Sequence, residues 1–110
     1  MHKIIREYEM NLEKVDLGEK TDAAAKLFDF TGDKSFGAGI LEVRGGAYQL
    51  DSAEWDEVLY VIDGSITFIE DSIEKVAGKG DIVWTSRGTK SKVIVKDYLK
   101  AFYVIRPFTI

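Results

Sequence analysis

The chain has 110 residues, of which 45% are hydrophobic and 31% are charged. This length suffices for one apolar core, and this balance is typical of a folded protein and not of a disordered chain. The formal net charge is -4 and the lysines are scattered, so the sequence offers no basic surface for nucleic acid. We therefore expect one globular domain that does not bind nucleic acid.

Export and membrane insertion are both disfavoured. The N-terminus lacks the apolar run of a signal peptide, and no later stretch approaches the roughly 18 apolar residues of a membrane-spanning helix. There is no cysteine, which excludes disulfides and thiolate metal sites. We expect a cytoplasmic protein with no membrane partner.

The N-terminal third differs in composition and periodicity from the rest of the chain. Residues 1–34 are dense in charged side chains and weakly periodic, and we interpret them as an arm that packs on a domain formed by residues 35–110. Together the two parts form a single structural domain, 1–110. Within the arm, residues 21–28 could form a short helix, because alanine favours helix. The alternation of Phe28 and Phe30 favours a strand equally well.

The remainder predicts an all-β fold. Apolar and β-branched segments alternate with glycine or acidic residues about every eight to twelve positions, a pattern typical of an antiparallel sandwich or barrel. We predict roughly six or seven strands. They are drawn from the segments 37–44, 48–53, 57–62, 65–70, 74–76, 81–85, 91–96 and 101–106.

Two turns are predicted between these strands. Asp63-Gly64 lies between two apolar β-branched runs, which indicates a two-residue hairpin, because glycine adopts positive φ without strain. The segment Glu70-Asp71-Ser72 marks a second turn.

The C-terminal segment has a distinct apolar pattern. Residues 101–105 are aromatic or β-branched almost throughout, which favours a strand covered on both faces, by the barrel or by a second subunit. Pro107 ends this strand, and residues 108–110 leave an apolar tail that could dock on a neighbour.

Two glycine-framed segments carry a family signature. The first segment places Gly45, Asp51, Ala53, Glu57 and Gly64 at the intervals of the first cupin motif, which has glycine, two histidines, glutamate and glycine. The chain therefore resembles the cupins, which implies a small antiparallel β-barrel of the jelly-roll type, also called a double-stranded β-helix.

The second segment places Gly80, Ser86, Gly88, Ser91 and Val95 at the intervals of the second cupin motif. In that motif the third histidine corresponds to Ser91 and the final asparagine to Val95.

The resemblance implies a metal site whose ligands are largely replaced. The four ligand positions hold Asp51, Ala53, Glu57 and Ser91, so only the glutamate is retained. Divalent first-row metals need several imidazole or carboxylate donors that converge at about 2.0 to 2.2 Å. His2 is the only histidine and lies in the arm. We expect neither a metal nor another cofactor.

A closer resemblance is carried by residues 36–42, 55–64, 80–84, 87–88 and 102–104. These segments are similar to the cupin domain of the EutQ family of ethanolamine-utilization proteins. This resemblance implies a dimeric cytoplasmic cupin tied to bacterial ethanolamine catabolism and its protein-shelled microcompartment, with acetate kinase activity ascribed to some members.

Two carboxylates are candidates for catalysis. Glu57 shares a strand face with Leu59 and Val61, and the family orientation would point it into the barrel. Glu42 interrupts an apolar strand, and two buried carboxylates close together would form an acid and base pair near neutral pH. The alternative is that Glu42 pairs with Arg44 on a solvated face while Glu57 bonds backbone amides at the barrel mouth.

A barrel mouth lined by aromatic rings and a few polar groups is a suitable small-molecule site. Each aromatic side chain could instead belong to the core. The predicted ligand-binding residues are Asp51, Trp55, Tyr60, Trp84, Ser91 and Tyr103.

Three hypotheses on function follow. The first is a metal-independent EutQ-like cupin that binds a small metabolite or a partner protein, as a homodimer, with any catalysis by Glu42 and Glu57. The second is a dimeric scaffold without catalysis, built by residues 101–105 and 108–110. The third is an enzyme with an oxygen-rich metal site at Asp51 and Glu57.

Overall fold

The structure is a computed structural model that describes residues 1–18 and 21–107. Within these residues one short 3-10 helix, Glu7–Glu9, precedes nine strands, and no helix is long and apolar enough to cross a membrane. The strands are β1 (Glu13–Val15), β2 (Ala23–Asp29), β3 (Gly37–Val43), β4 (Gly46–Leu50), β5 (Asp56–Glu70), β6 (Ile73–Gly78), β7 (Ile82–Thr85), β8 (Ser91–Val95) and β9 (Leu99–Arg106).

All strand pairs are antiparallel, and β5 links two sheets. The order along the main path is β1-β2-β3-β9-β5-β8-β4, and β6 and β7 also pair with β5. The first part of β5 pairs with β7 and β9, and its last part pairs with β6 and β8. The two sheets enclose an apolar core whose most deeply buried large side chains are Val43, Val61, Val93 and Leu99. The predicted all-β barrel is confirmed.

The predicted hairpin at Asp63-Gly64 is wrong, because β5 runs through both residues without reversing. The register with β9 shifts between Val61 and Asp63, which marks a bulge, and Gly64 has φ 79°. A Cβ atom at Gly64 would collide with the backbone carbonyl of Tyr98. A glycine with positive φ is therefore required at this position, as predicted. Its role is to form a bulge and a close backbone contact that let β5 pass from one sheet to the other.

The second predicted turn is confirmed. Asp71 and Ser72 both have positive φ, 51° and 63°, and they connect the paired residues Glu70 and Ile73. Two positive φ values in a two-residue loop are those of a type I′ hairpin turn, whose twist matches that of the flanking strands.

The N-terminal segment supplies strands to the barrel. β2 pairs with β3 along its whole length, and β1 pairs with β2, so the strand interpretation of residues 21–28 is confirmed and the helical one is wrong. Gly39 permits this pairing, because a Cβ atom there would collide with the carbonyl of Lys26 on β2. The division at residue 34 falls between β2 and β3, which are neighbours in one sheet.

Strand β9 is covered on one face only within the protomer. Ala101 and Ile105 are buried, whereas Phe102 retains 41% of its surface exposed. The predicted coverage on both faces is thus not provided by the barrel itself. The predicted docking tail at 108–110 lies outside the described residues.

We expect Gly64→Ala to lower the free energy of unfolding by about 2 to 3 kcal/mol. The methyl group of alanine would collide with a backbone carbonyl, and alanine rarely adopts the positive φ of this position. Urea unfolding measures the change. Gly78→Ala is the matched control, since a Cβ atom there meets no atom within 4 Å and the cost should stay under about 1 kcal/mol. Equal costs for the two variants would contradict this account of β5.

Candidate functional site

A cavity of about 470 Å³ lies between the two sheets and is closed in part by the N-terminal strands. Its walls are largely apolar, with a few polar groups, a composition typical of small-molecule sites. The lining residues are Val15, Leu17, Ala25, Leu27, Leu41, Tyr48, Gln49, Leu50, Trp55, Glu57, Leu59, Ile66, Phe68, Val83, Thr85, Val93, Tyr103 and Ile105.

Glu57 is the carboxylate of this cavity. Side chains alternate along β5, so Glu57 and Leu59 face the cavity while Val58 and Tyr60 lie on the outside, 40% and 44% exposed. In the sheet, Glu57 pairs with Thr85 of β7 on one side and Ile105 of β9 on the other. The predicted inward orientation of Glu57 is confirmed.

The surroundings of Glu57 make its charge costly. Burial raises the pKa of Glu57 from its ordinary value of 4.5 to about 7. Burial, and next the negative charge of Glu57, raise the pKa values of Tyr48 and Tyr103 to about 12. The two phenols therefore lie within electrostatic reach of this carboxylate. Near neutral pH Glu57 exchanges a proton while both tyrosines stay neutral, a state suited to general acid or base chemistry.

Glu42 lies outside the cavity. Its neighbour on β3, Leu41, lines the cavity, and alternation turns Glu42 to the opposite face. There its carboxylate accepts a hydrogen bond of 2.7 Å from Arg44 Nη2 and one of 2.9 Å from the Tyr98 hydroxyl. The predicted pair of Glu42 and Glu57 is therefore not assembled, and the alternative pairing with Arg44 describes Glu42. The second half of that alternative does not describe Glu57, because in the described part of the chain no backbone amide donates to its carboxylate, which lines the cavity.

Two of the predicted ligand-binding residues join Glu57. Trp55, just before β5, and Tyr103 of β9 both line the large cavity. Tyr103 does so because it pairs with Leu59 and shares its face. These residues form the part of the predicted site that the structure brings together.

The other four predicted residues lie elsewhere. Trp84 and Ser91 line a smaller cleft of about 250 Å³ beside β6 and β7. Tyr60 lies on the outer face of β5, and Asp51 is exposed in the turn after β4. Strand alternation excludes Tyr60 from the cavity, and the end of β4 at Leu50 leaves Asp51 outside it.

Several lining residues were missing from the predicted site. Tyr48 and Gln49 come from β4, and Thr85 is the register partner of Glu57. Two of them could have been identified from the sequence. Tyr48 lies two residues before Leu50 and therefore on the same face of β4, and Thr85 is a polar residue at the end of the apolar strand β7. Val15 and Leu17 carry no such signal, because their contact with the cavity depends on how β1 lies on the barrel.

The residues at the family's metal positions do not fit a metal ion. Asp51 is exposed in a turn, Ala53 offers no donor, and Ser91 lines the smaller cleft, so only Glu57 faces the cavity. Within residues 1–18 and 21–107, no three histidine, cysteine or acidic side chains are grouped so as to hold a metal ion. A single carboxylate is a poor site for a first-row divalent metal.

We expect Glu57 to make stability depend on pH. Its proton is held more tightly in the folded state, so its contribution is full below pH 4.5, falls as the pH rises and is lost above pH 7. The shift corresponds to roughly 3 kcal/mol. Glu57→Gln should remove this fall and be more stable than the unmodified protein at pH 8, as measured by urea unfolding at pH 5 and pH 8. The exposed Glu54→Gln is the control, and an unchanged pH dependence in Glu57→Gln would contradict the assignment.

Comparison with known proteins places this geometry in a family. The family model for ethanolamine utilisation protein EutQ matches residues 2–109. Acetate kinase EutQ of Clostridioides difficile (strain 630) is 29% identical over 97 residues, which are 86% of this chain and 61% of that relative. This chain thus spans less than two thirds of that relative's length.

Solved structures show the same fold. The Clostridium difficile EutQ structure is 25% identical, with a TM-score of 0.80 over 94% of this chain and 86% of that one. An RmlC-like cupin from Shewanella frigidimarina NCIMB 400, 15% identical, shares the fold with a TM-score of 0.75 over 97% of this chain and 92% of that one. Both resemblances are confirmed: the fold is that of a cupin, and the chain belongs to the EutQ family of ethanolamine utilisation proteins.

Proposed function

We propose that this EutQ-like cupin binds a small metabolite in the cavity between its sheets, in the cytoplasm and in connection with ethanolamine utilisation, with Glu57 as the polar contact for the ligand. The observation that carries the proposal is the carboxyl group of Glu57 on the wall of a cavity of about 470 Å³. Cavities of about 300 to 1,000 Å³ suit small ligands.

The energetics of Glu57 support a binding role. Burial alone accounts for its raised pKa, so within the described residues the carboxyl group lacks a strong compensating partner. Burying a polar group in this way costs free energy that a packing residue such as leucine would not cost. A ligand that donates to the carboxyl group would offset this cost.

Any catalysis in this cavity would use Glu57 as a general acid or base, since its pKa of about 7 suits proton transfer near neutral pH. Glu42 has no part in it, because it lies on the other face of β3. The cavity gives no support to the acetate kinase activity named for the Clostridioides difficile relative. Phosphoryl transfer relies on cations that hold the phosphates, and the described residues lining the cavity include no lysine or arginine.

We expect Ala25→Phe to weaken ligand binding at least about tenfold, because Ala25 lines the cavity and the larger ring would fill part of it. The measurement is NMR titration of the labelled protein with a panel of short-chain alcohols, amines, aldehydes and carboxylic acids. Shifts should concentrate on the amides of the cavity wall, including Tyr48 and Tyr103. Ala24→Phe is the control, since Ala24 lies on the opposite face of β2 and does not line the cavity. A panel that leaves the wall amides unmoved would contradict the proposal.

A second candidate function, the dimeric scaffold, is favoured by the outer face of the sheet that contains β9. Two apolar rows cross neighbouring strands there in register: Ala38, Val104, Val58 and Trp84 in one, and Ile40, Phe102, Tyr60 and Ile82 in the other. Ile82 and Trp84 are 70% and 60% exposed. Exposed apolar patches of this kind mark interaction surfaces, and a second copy of the same face would supply a complementary apolar surface in a twofold dimer.

We expect Phe102→Glu to convert a dimer into monomers, because it places a charge at the centre of the outer face. Analytical ultracentrifugation measures the mass, and circular dichroism checks that the fold is retained. Ile73→Glu is the control, because Ile73 is 60% exposed at the start of β6 and does not line the cleft that contains Ile82 and Trp84. An unmodified protein that sediments as a monomer would remove the scaffold from consideration.

A further inference from the structure

We propose that the ligand of the cavity is a small organic cation: an amine in its ammonium form with a short apolar body, held between the carboxylate of Glu57 and the aromatic rings of the cavity wall. This inference rests on the proposed function and specifies the chemical class of its ligand. The cationic end would lie at Glu57 and the apolar end against the leucine side chains of the wall.

The charge of the cavity favours a cation. Among the described lining residues Glu57 is the one charged side chain, and none is a lysine, arginine or histidine. In a cavity with largely apolar walls, opposite charges attract more strongly than they do at the surface, and like charges repel more strongly. An anionic ligand would meet the carboxylate without any compensating cation, whereas an ammonium group would neutralise it.

The aromatic residues of the cavity provide a second attraction. Tyr48, Trp55 and Tyr103 all line the same space as Glu57. Ammonium groups are attracted to the faces of such rings, and clusters of rings are the usual protein site for methylated and quaternary amines. Because Glu57 and both tyrosines line one cavity, a cation at Glu57 would share that space with their rings.

Cation binding should depend on the ionisation of Glu57. The titratable groups that line the cavity with Glu57 are Tyr48 on β4 and Tyr103 on β9. Both stay neutral at pH 6 and pH 8, because each has a pKa of about 12. Thr85 on β7 is uncharged, and β1, β2, β3 and β8 contribute only apolar side chains to the wall. With the pKa of Glu57 at about 7, the ionised fraction rises roughly tenfold from pH 6 to pH 8, and the affinity for a cation should rise by the same factor.

Three probes of nearly equal size test the ligand class: n-butylammonium, 1-butanol and n-butyrate, titrated calorimetrically into the full chain at pH 6 and pH 8. We expect n-butylammonium to bind roughly tenfold more tightly than 1-butanol at pH 8, and n-butyrate to bind most weakly. Glu57→Gln should reduce the affinity for n-butylammonium to that for 1-butanol and leave the affinity for 1-butanol within about twofold. Retained binding of 1-butanol shows that the variant folds. Glu54→Gln, an exposed carboxylate outside the cavity wall, should leave all three affinities unchanged.

The outcomes separate this inference from the proposed function. Equal affinities for n-butylammonium and 1-butanol, or tightest binding of n-butyrate, would overturn the cationic class while leaving a functional cavity. Loss of n-butylammonium binding in Glu54→Gln would overturn it as well, because binding would then lie at the surface. Failure of all three probes to bind overturns the ammonium inference, and the wider panel with Ala25→Phe then decides separately whether the cavity binds any ligand.

Discussion

The close passage of β5 against the backbone of Tyr98 is the contact on which the rest of this barrel depends. At Gly64 the two chains approach so nearly that no side chain fits, and the next residue, Ser65, donates its backbone N–H to the Tyr98 carbonyl at 3.0 Å. The bulge at this point lets one strand of 15 residues belong to both sheets. Glu57 lies on the part of β5 before the bulge, and Phe68 and Ile66 lie after it, so the same strand contributes to the cavity wall from both sheets.

This contact also explains why the last position of the first cupin motif needs a glycine. Gly64 is required by backbone packing and by its positive φ, and neither requirement involves a metal. The two histidine positions of the motif here hold the exposed Asp51 and the buried Ala53. Glu57 keeps its place in the cavity as a single carboxylate among apolar groups. The fold of a cupin has therefore been kept together with a cavity of different chemistry.

The N-terminal strands complete the cavity and belong to the sheet. Val15, Leu17, Ala25 and Leu27 line the space in front of Glu57, and β2 reaches its position through full pairing with β3. Without these apolar side chains, water would reach Glu57 more freely and its pKa would lie closer to the ordinary value. The electrostatic character of the site thus depends on a segment far from it in sequence, and on the absence of a Cβ atom at Gly39 that permits the pairing.

The sequence by itself determined the all-β class, the family, the turn at Asp71 and the inward face of Glu57, because these depend on alternation, local turn geometry and motif spacing. It also singled out Gly64, but local pattern does not distinguish a hairpin from a bulge in a long strand, since both need positive φ. Only the tertiary structure decided that Glu42 and Glu57 lie apart and that Tyr48 faces the cavity. Those outcomes depend on which strands become neighbours and on which face of each sheet is turned toward the cavity. Contacts between residues distant in the chain determine both features.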